Sequence, residues 1–218
     1  MAYEYILLLT LSYGLGSFPS AYLAGRLVKN IDIRDHGSGN VGATNVFRVL
    51  GKTWGIVTLF VDILKGSLTI ILAKAILPID QEYGSWILLA CGLIAFLGHI
   101  FPVWLKFKGG KGVAVGAGVF LVLIPVEMGV ILTFFALVVG LTRYVSLGSV
   151  LSAFFLPFSV YLNPLREQDN DLYPYLIAAS VIALAVLIMH RDNIKRLLRG
   201  EEHKITFGSK SKQSGASE

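Results

Sequence analysis

The residues of this chain able to do chemistry fall into three polar clusters and one charged pair. The first cluster reads Gly37-Ser38-Gly39-Asn40-Val41-Gly42-Ala43-Thr44-Asn45-Val46-Phe47-Arg48. By letter it contains G-x-G-x-x-G, with Asp62 twenty residues beyond the last glycine. A dinucleotide fold needs a strand before that glycine run. Here Asp32, Arg34, Asp35 and His36 precede it, and Asp62 stands in an apolar run, so the dinucleotide reading fails. What remains is a glycine-rich turn with free backbone N–H groups, the side chains of Ser38, Asn40, Thr44 and Asn45, and the cation Arg48. Those are the parts of an anion cradle. The plain alternative is an ordinary polar loop.

The second cluster is Gly98-His99-Ile100-Phe101-Pro102, then Phe107-Lys108-Gly109-Gly110-Lys111-Gly112-Val113-Ala114. A nucleotide P-loop requires Ser or Thr after its lysine; Gly112 stands there instead. Gly109, Gly110 and Gly112 would still let the backbone approach an oxyanion, Lys108 and Lys111 would add charge, and a following helix would point its positive end at it. A basic loop touching lipid headgroups is the alternative. The third cluster runs from His190 to Glu202, HRDNIKRLLRGEE. On a helix His190 and Asn193 share a face, while Lys195, Arg196 and Arg199 read as basic anchors. Asp62 and Lys65, also three apart, sit inside an apolar run, where each costs about 2.5–3.5 kcal/mol at a membrane centre. Lys65 would reach toward a phosphate site with Asp62 holding it, or the two would form a purely structural pair. Ser146 and Ser149, near Arg143, could offer hydroxyls at a helix start.

The elements carrying these groups must sit in lipid. Hydrophobic residues make up 55% of the 218 and charged residues 15%, with 23 glycines. Counting glycine, roughly 66% is apolar, against about 45–50% in soluble domains. Mean hydropathy is +0.68, which excludes an ordinary soluble domain. A net charge of +5 gives no case for nucleic acid. The single cysteine, Cys91, excludes an internal disulfide framework and reads as a packed thiol.

Apolar spans are expected near 3–25, 53–77, 84–101, 111–124, 127–141, 147–163 and 173–189, giving an all-α polytopic membrane protein with about seven crossings. The fourth is short enough to be a half-helix. Small residues at four-residue spacing, Ser17/Ala21/Gly25 and Gly112/Gly116, suit close helix packing. Segments 26–52, 104–111, 142–146 and 190–218 hold 16 of the 19 Lys and Arg, which places the N-terminus outside and the C-terminus inside. The loop 164–172 carries Arg166, Glu167, Asp169 and Asp171. The first span has Glu4 and no basic residue before it, unlike a cleavable signal. Residues 1–202 read as one transmembrane domain, and 203–218 as a polar, disordered cytoplasmic tail.

Taken together, the three clusters resemble the bacterial PlsY family, the acylphosphate:glycerol-3-phosphate acyltransferases. G-S-G-N-x-G-A-T-N-x-x-R matches Gly37 to Arg48, G-H-x-F-P with F-x-G-G-K-G-V-A matches Gly98 to Ala114, and H-R-x-N-I-x-R-L-x-x-G-x-E matches His190 to Glu202. The resemblance covers about residues 1–202. It implies a seven-helix enzyme of the bacterial inner membrane, its site facing the cytoplasm. The enzyme would join glycerol 3-phosphate to a long-chain acyl group taken from acyl phosphate, giving lysophosphatidic acid at the start of phospholipid synthesis. No cofactor, metal, coenzyme A, nucleic acid or obligate protein partner is implied; membrane lipids surround it. Ser38, Arg48, Lys111, His190 and Asn193 would be catalytic. Gly39, Asn40, Thr44, Asn45, Lys65, His99, Lys108, Gly109, Gly110, Gly112, Ser146 and Ser149 would bind substrate. Asp62 and Glu202 would be structural.

The chemistry stands on its own terms. Two phosphate-bearing substrates bring up to about four negative charges together at neutral pH, and Arg48, Lys65, Lys108 and Lys111 could offset them. His99 and His190 are candidate bases for the attacking hydroxyl; the resemblance implies that the donor's own phosphate takes the proton. Soluble-donor acyltransferases use H-x-x-x-x-D, yet Val41, Trp104, Lys195 and Gly208 stand five residues after the four histidines. No Ser–His–Asp arrangement is legible for a covalent Ser38. A transporter of phosphorylated solutes is the competing class, but its site would lie near the midplane. A scaffold would leave Asp62 and Lys65 unexplained.

Overall fold

The computed structural model describes residues 2–76, 84–164 and 172–205. Every regular element among them is helical, and the chain is an integral membrane protein. The expected first span is two helices, not one: α1 (Ala2–Ser17) and α2 (Ser20–Lys29). Pro19 supplies no N–H and its ring crowds the preceding turn, so the helix breaks there. The chain restarts with the Leu23 N–H bonded to the Pro19 carbonyl. The break separates Ser17 from Ala21, so the anticipated small-residue stripe is not one helical face. Gly25 instead packs against the loop that follows α2, where a Cβ would lie 3.1 Å from the Ile31 carbonyl oxygen.

A short helix, α3 (Ala43–Leu50), leads into α4 (Lys52–Ile76), whose 25 residues span about 37 Å at 1.5 Å each, enough to cross a bilayer. Then come α5 (Gly84–Ile100), α6 (Val113–Leu123), α7 (Pro125–Thr142), α8 (Val145–Tyr161), α9 (Leu172–Met189) and α10 (Arg191–Leu198). Counting α1 with α2, five described segments are long and apolar enough to cross a membrane; α6 and α8 are shorter apolar helices. At 11 residues α6 is about 17 Å long, well short of the roughly 30 Å hydrocarbon core. One residue later Pro125 starts α7, a position where its missing N–H costs nothing.

Lipid offers no hydrophobic drive between helices, so close van der Waals fit must hold them. Gly112, expected within a helix-packing pair, instead caps α6 from outside it. The intimate contact belongs to α4 and α6, through Gly66 and Gly118. A Cβ on Gly66 would fall 2.1 Å from the Val115 carbonyl oxygen, and one on Gly118 2.0 Å from that of Ile63. This locks α6 to α4 and aims its N-terminus at one end of the bundle. At that end also lie α3, α10, the loop after α2 and the loop after α5. The charged loop at 165–171 and the tail from 206 lie outside the described residues. Residues 203–205, expected within the tail, are held in place: Arg48 Nη2 donates to the His203 carbonyl (3.3 Å) and Ile205 N–H to the Arg143 carbonyl (2.8 Å).

Candidate active site

The loop before α3 is built around one side chain. Asn45 is 1% exposed. Its Oδ1 accepts the Ser38 N–H (2.8 Å), and its amide donates to the carbonyls of Ile33 (3.1 Å), His36 (3.0 Å) and Asn40 (3.0 Å). Asn45, expected to bind substrate, lines the cavity, and its side chain also makes these four hydrogen bonds that fold the loop. The same loop is braced by Asp32, which accepts from Arg34 Nε (3.0 Å) and Nη2 (2.7 Å). That hydrogen bonding holds the Asp32 carboxyl at about 2. Ser38, Gly39, Asn40, Thr44 and Asn45 line a cavity, with Arg48 one turn into α3.

The loop after α5 folds back on its own helix. Gly109 N–H bonds the Ile100 carbonyl (3.0 Å) and Gly110 N–H that of His99 (3.1 Å). A Cβ on Gly110 would fall 2.1 Å from His99 Nε2. Gly110, expected to bind substrate, is thus needed for the close approach to His99, and it does not line the cavity. Gly112 has φ +81°, a left-handed conformation suited to glycine, and caps α6 directly against the Phe96 ring. Lys111, between them, donates to Asn193 Oδ1. Lys108, expected to bind substrate, is exposed and stands outside the cavity.

From the other side, Glu202 gathers α8 and α10. Its Oε1 accepts from Asn193 Nδ2 (2.8 Å) and Ser146 Oγ (3.1 Å), and its Oε2 from Arg196 Nε (2.7 Å). Burial alone would raise this carboxyl, but those three hydrogen bonds outweigh it and keep it ionised. The order Lys111–Asn193–Glu202 orients the ammonium through two side chains. Burial lowers Lys111 to about 8, with the nearby cations Arg196 and Arg48 adding to the effect against Glu202. Burial likewise lowers Arg48. His190 Nδ1 lies 2.8 Å from the Val186 carbonyl. A carbonyl only accepts, so the proton sits on Nδ1 and Nε2 is an acceptor. Burial, then the Lys111 charge, lowers His190 to about 4, so it is neutral at pH 7.

These groups ring the mouth of a cavity of about 540 Å³. Ser38, Arg48, His99, Gly109, Lys111, Gly112, Ser146, Ser149, His190, Asn193, Arg196 and Glu202 line it, polar at one end. Beyond them Leu59 and Ile63 of α4, Ala117 and Phe120 of α6, Met128 to Phe135 of α7, Leu156 of α8 and Ile182 of α9 continue it as an apolar arm. Ser149 lines the cavity but its hydroxyl donates to the Val145 carbonyl (3.0 Å). The site can hold anions at one end and a hydrocarbon chain at the other.

The intramembrane pair meets the cavity through Asp62 alone. Lys65 Nζ is 2.7 Å from Asp62 Oδ1 and donates to the Phe18 carbonyl at 2.7 Å, while Ser20 Oγ donates to Asp62 Oδ1 at 2.5 Å. Phe18 and Ser20 flank the α1–α2 break, so the pair staples that break to α4. Lys65, expected to bind substrate, does not line the cavity; Asp62 lines it and also faces His99 Nδ1 at 3.9 Å. Arg196, read as a membrane anchor, belongs to the site instead. Its spacing of three from Asn193, which puts the two on one helical face, carried that signal.

The family model described as glycerol-3-phosphate acyltransferase matches residues 6–200. A glycerol-3-phosphate acyltransferase of Prochlorococcus marinus (strain NATL1A) is 46% identical over 201 residues, 92% of this chain and 98% of that one. One from Chlorobaculum parvum is 37% identical over 230 residues, 95% and 99% of the two chains. The crystal structure of PlsY, an integral membrane glycerol 3-phosphate acyltransferase, in its glycerol 3-phosphate form superposes with a TM-score of 0.81. It shares 36% identity, covering 93% of this chain and 96% of that one. The lysophosphatidic acid form gives 0.79 and 35%, covering 93% and 95%.

Proposed function

Because the chain belongs to the glycerol-3-phosphate acyltransferase family, we propose that it transfers a long-chain acyl group from acyl phosphate to the sn-1 hydroxyl of glycerol 3-phosphate. The products are lysophosphatidic acid and inorganic phosphate, the opening step of phospholipid synthesis. The observation that carries the reading is one cavity with a cationic mouth and an apolar arm. Lys111, Arg48 and the N-terminus of α6, whose first N–H groups have no helical partner, receive the phosphates. Ser38, Asn40 and Thr44 position the glycerol, and Asn193 with Glu202 orient Lys111.

The hydroxyl oxygen attacks the acyl carbonyl carbon, the carbon–oxygen bond to phosphate breaks, and phosphate leaves with the bridging oxygen. The hydroxyl proton goes to that phosphate. With a second pKa near 6 it is a stronger base than His190, held at about 4. His190 Nε2 serves as a hydrogen-bond acceptor. The protein's share is position and electrostatics.

Purified protein in detergent, given radiolabelled glycerol 3-phosphate, should form labelled lysophosphatidic acid with acyl phosphate and little with acyl-CoA. Comparable kcat/KM with acyl-CoA, free acyl phosphate excluded, would overturn the donor assignment; uptake into vesicles without acylation would favour a transporter. The same reading sets the chain in a bacterial inner membrane with seven crossings, the N-terminus outside and the site facing the cytoplasm. Cysteine introduced within 164–172 should react with an impermeant thiol reagent outside intact cells, and cysteine at 210 should not. Cys91 is fully buried and gives a silent background.

A further inference from the structure

We infer that the closed end of the apolar arm measures the acyl chain, a specificity that rests on the function proposed above. On four helices the lining residues stop short of the helix end away from the polar groups. The deepest lining residues are Phe120 on α6, Met128 on α7, Leu156 on α8 and Ile182 on α9, each no more than 5% exposed. One turn further along each helix, Leu123, Ile124, Val160 and Ala179 are buried in the same core cluster and do not line the cavity. The arm therefore ends on a packed layer rather than opening to lipid at its tip. Along α8 the lining runs from Val145 to Leu156, a depth of about 16 Å at 1.5 Å per residue.

A floor of this kind discriminates by overpacking. A chain that just reaches Phe120 and Met128 gains contact with each added carbon, whereas the next carbon must displace close-packed side chains. One methylene in a hydrophobic pocket changes kcat/KM by roughly 10-fold or more. The side of the arm is less enclosed. Leu59 on α4 and Leu132 on α7 line it and are 43% and 37% exposed, so the chain can enter from the bilayer between these helices and still end on the floor. The acceptor groups stand at the opposite end and are untouched by changes here.

The test uses the full chain in detergent with saturated acyl phosphates of graded length. Wild type should show a length beyond which kcat/KM falls by roughly 10-fold per step. Phe120→Ala and Met128→Ala should move that limit to longer chains. Ala153→Phe, which fills the arm one turn above Leu156, should move it to shorter ones. The KM for glycerol 3-phosphate should stay unchanged in all three. Phe120→Ala removes a large buried ring; should it not fold, Met128→Ala and Ala153→Phe decide the matter. Active variants with the wild-type length profile would overturn the floor alone. A wild-type protein that acylates glycerol 3-phosphate from no acyl phosphate of any length would instead overturn the proposed function.

Discussion

Two buried polar clusters in this molecule look alike on paper and behave differently. In the bundle, Asp62 and Lys65 are both nearly inaccessible and matched to each other, to Ser20 and to the Phe18 carbonyl. At the basic end, Lys111 is only half-buried, and its partners Asn193 and Glu202 share a cavity wall with His190 and Arg48. An ionisable residue inside a membrane is a functional hypothesis by default. Here the deeper lysine holds a broken helix together, and the shallower one faces the cavity. What separates them is whether the charge is already spent on the protein.

The sharpest way to break this contrast is Asp62→Leu. It strands a buried lysine beside a carbonyl, a loss of about 3–5 kcal/mol, read as protein missing from the membrane fraction or a collapsed melting temperature. Pairing it with Lys65→Met should restore much of the loss, with the glycerol 3-phosphate KM of the double variant near wild type. A KM that rises with normal folding would make Lys65 a substrate cation after all.

Lys111→Ala should do the reverse, folding normally while raising the glycerol 3-phosphate KM. One charge-assisted contact is worth about 1.5–3 kcal/mol, or roughly 10- to 150-fold. An unchanged KM would move the phosphate site toward Arg48.

A pH titration sharpens the same point. Burial lowers Lys111 to about 8, and only its protonated form grips phosphate. Glycerol 3-phosphate is already a dianion there, its second pKa being near 6. Hence kcat/KM should fall up to about tenfold per pH unit above 8. Lys111→Arg, always charged, should lose that alkaline limb even if its activity is reduced. A limb that persists would assign the titration to another group.

The smallest effects separate two serines. Ser146→Ala removes a hydrogen bond to Glu202, about 0.5–1.5 kcal/mol, and should raise the KM a few-fold. Ser149→Ala removes a hydroxyl bonded to its own helix and should leave the KM unchanged. Equal effects would mean that both hydroxyls meet substrate.

Several features were legible in the chain and several were not, for identifiable reasons. The clusters at Ser38–Arg48, Gly109–Gly112 and His190–Glu202 could be picked out because turn glycines, cations and helical spacing are local properties, and they converge on one cavity. The break at Pro19 was missed, because the run around it stays apolar and reads as one continuous span. The hydrogen bonds by which Asn45 folds its loop were not legible, because its partners Ile33 and His36 precede it in a loop whose path no periodicity encodes. Arg196 carried the spacing signal but was hidden by the basic residues around it.

The sequence by itself determined that the chain lives in lipid, where its apolar segments run and which polar clusters carry the chemistry. Solvent preference and local propensity are summed residue by residue along the chain. Only the tertiary structure decided that Lys65 ties a helix break to α4, that Glu202 orients Lys111 through Asn193, and that residues of several helices line one apolar arm. Each of those depends on partners tens of residues away, and on backbones that meet only because Gly66 and Gly118 let α4 and α6 come close. A side chain's role is set by the partners left to it, and those partners are known only once the helices have packed.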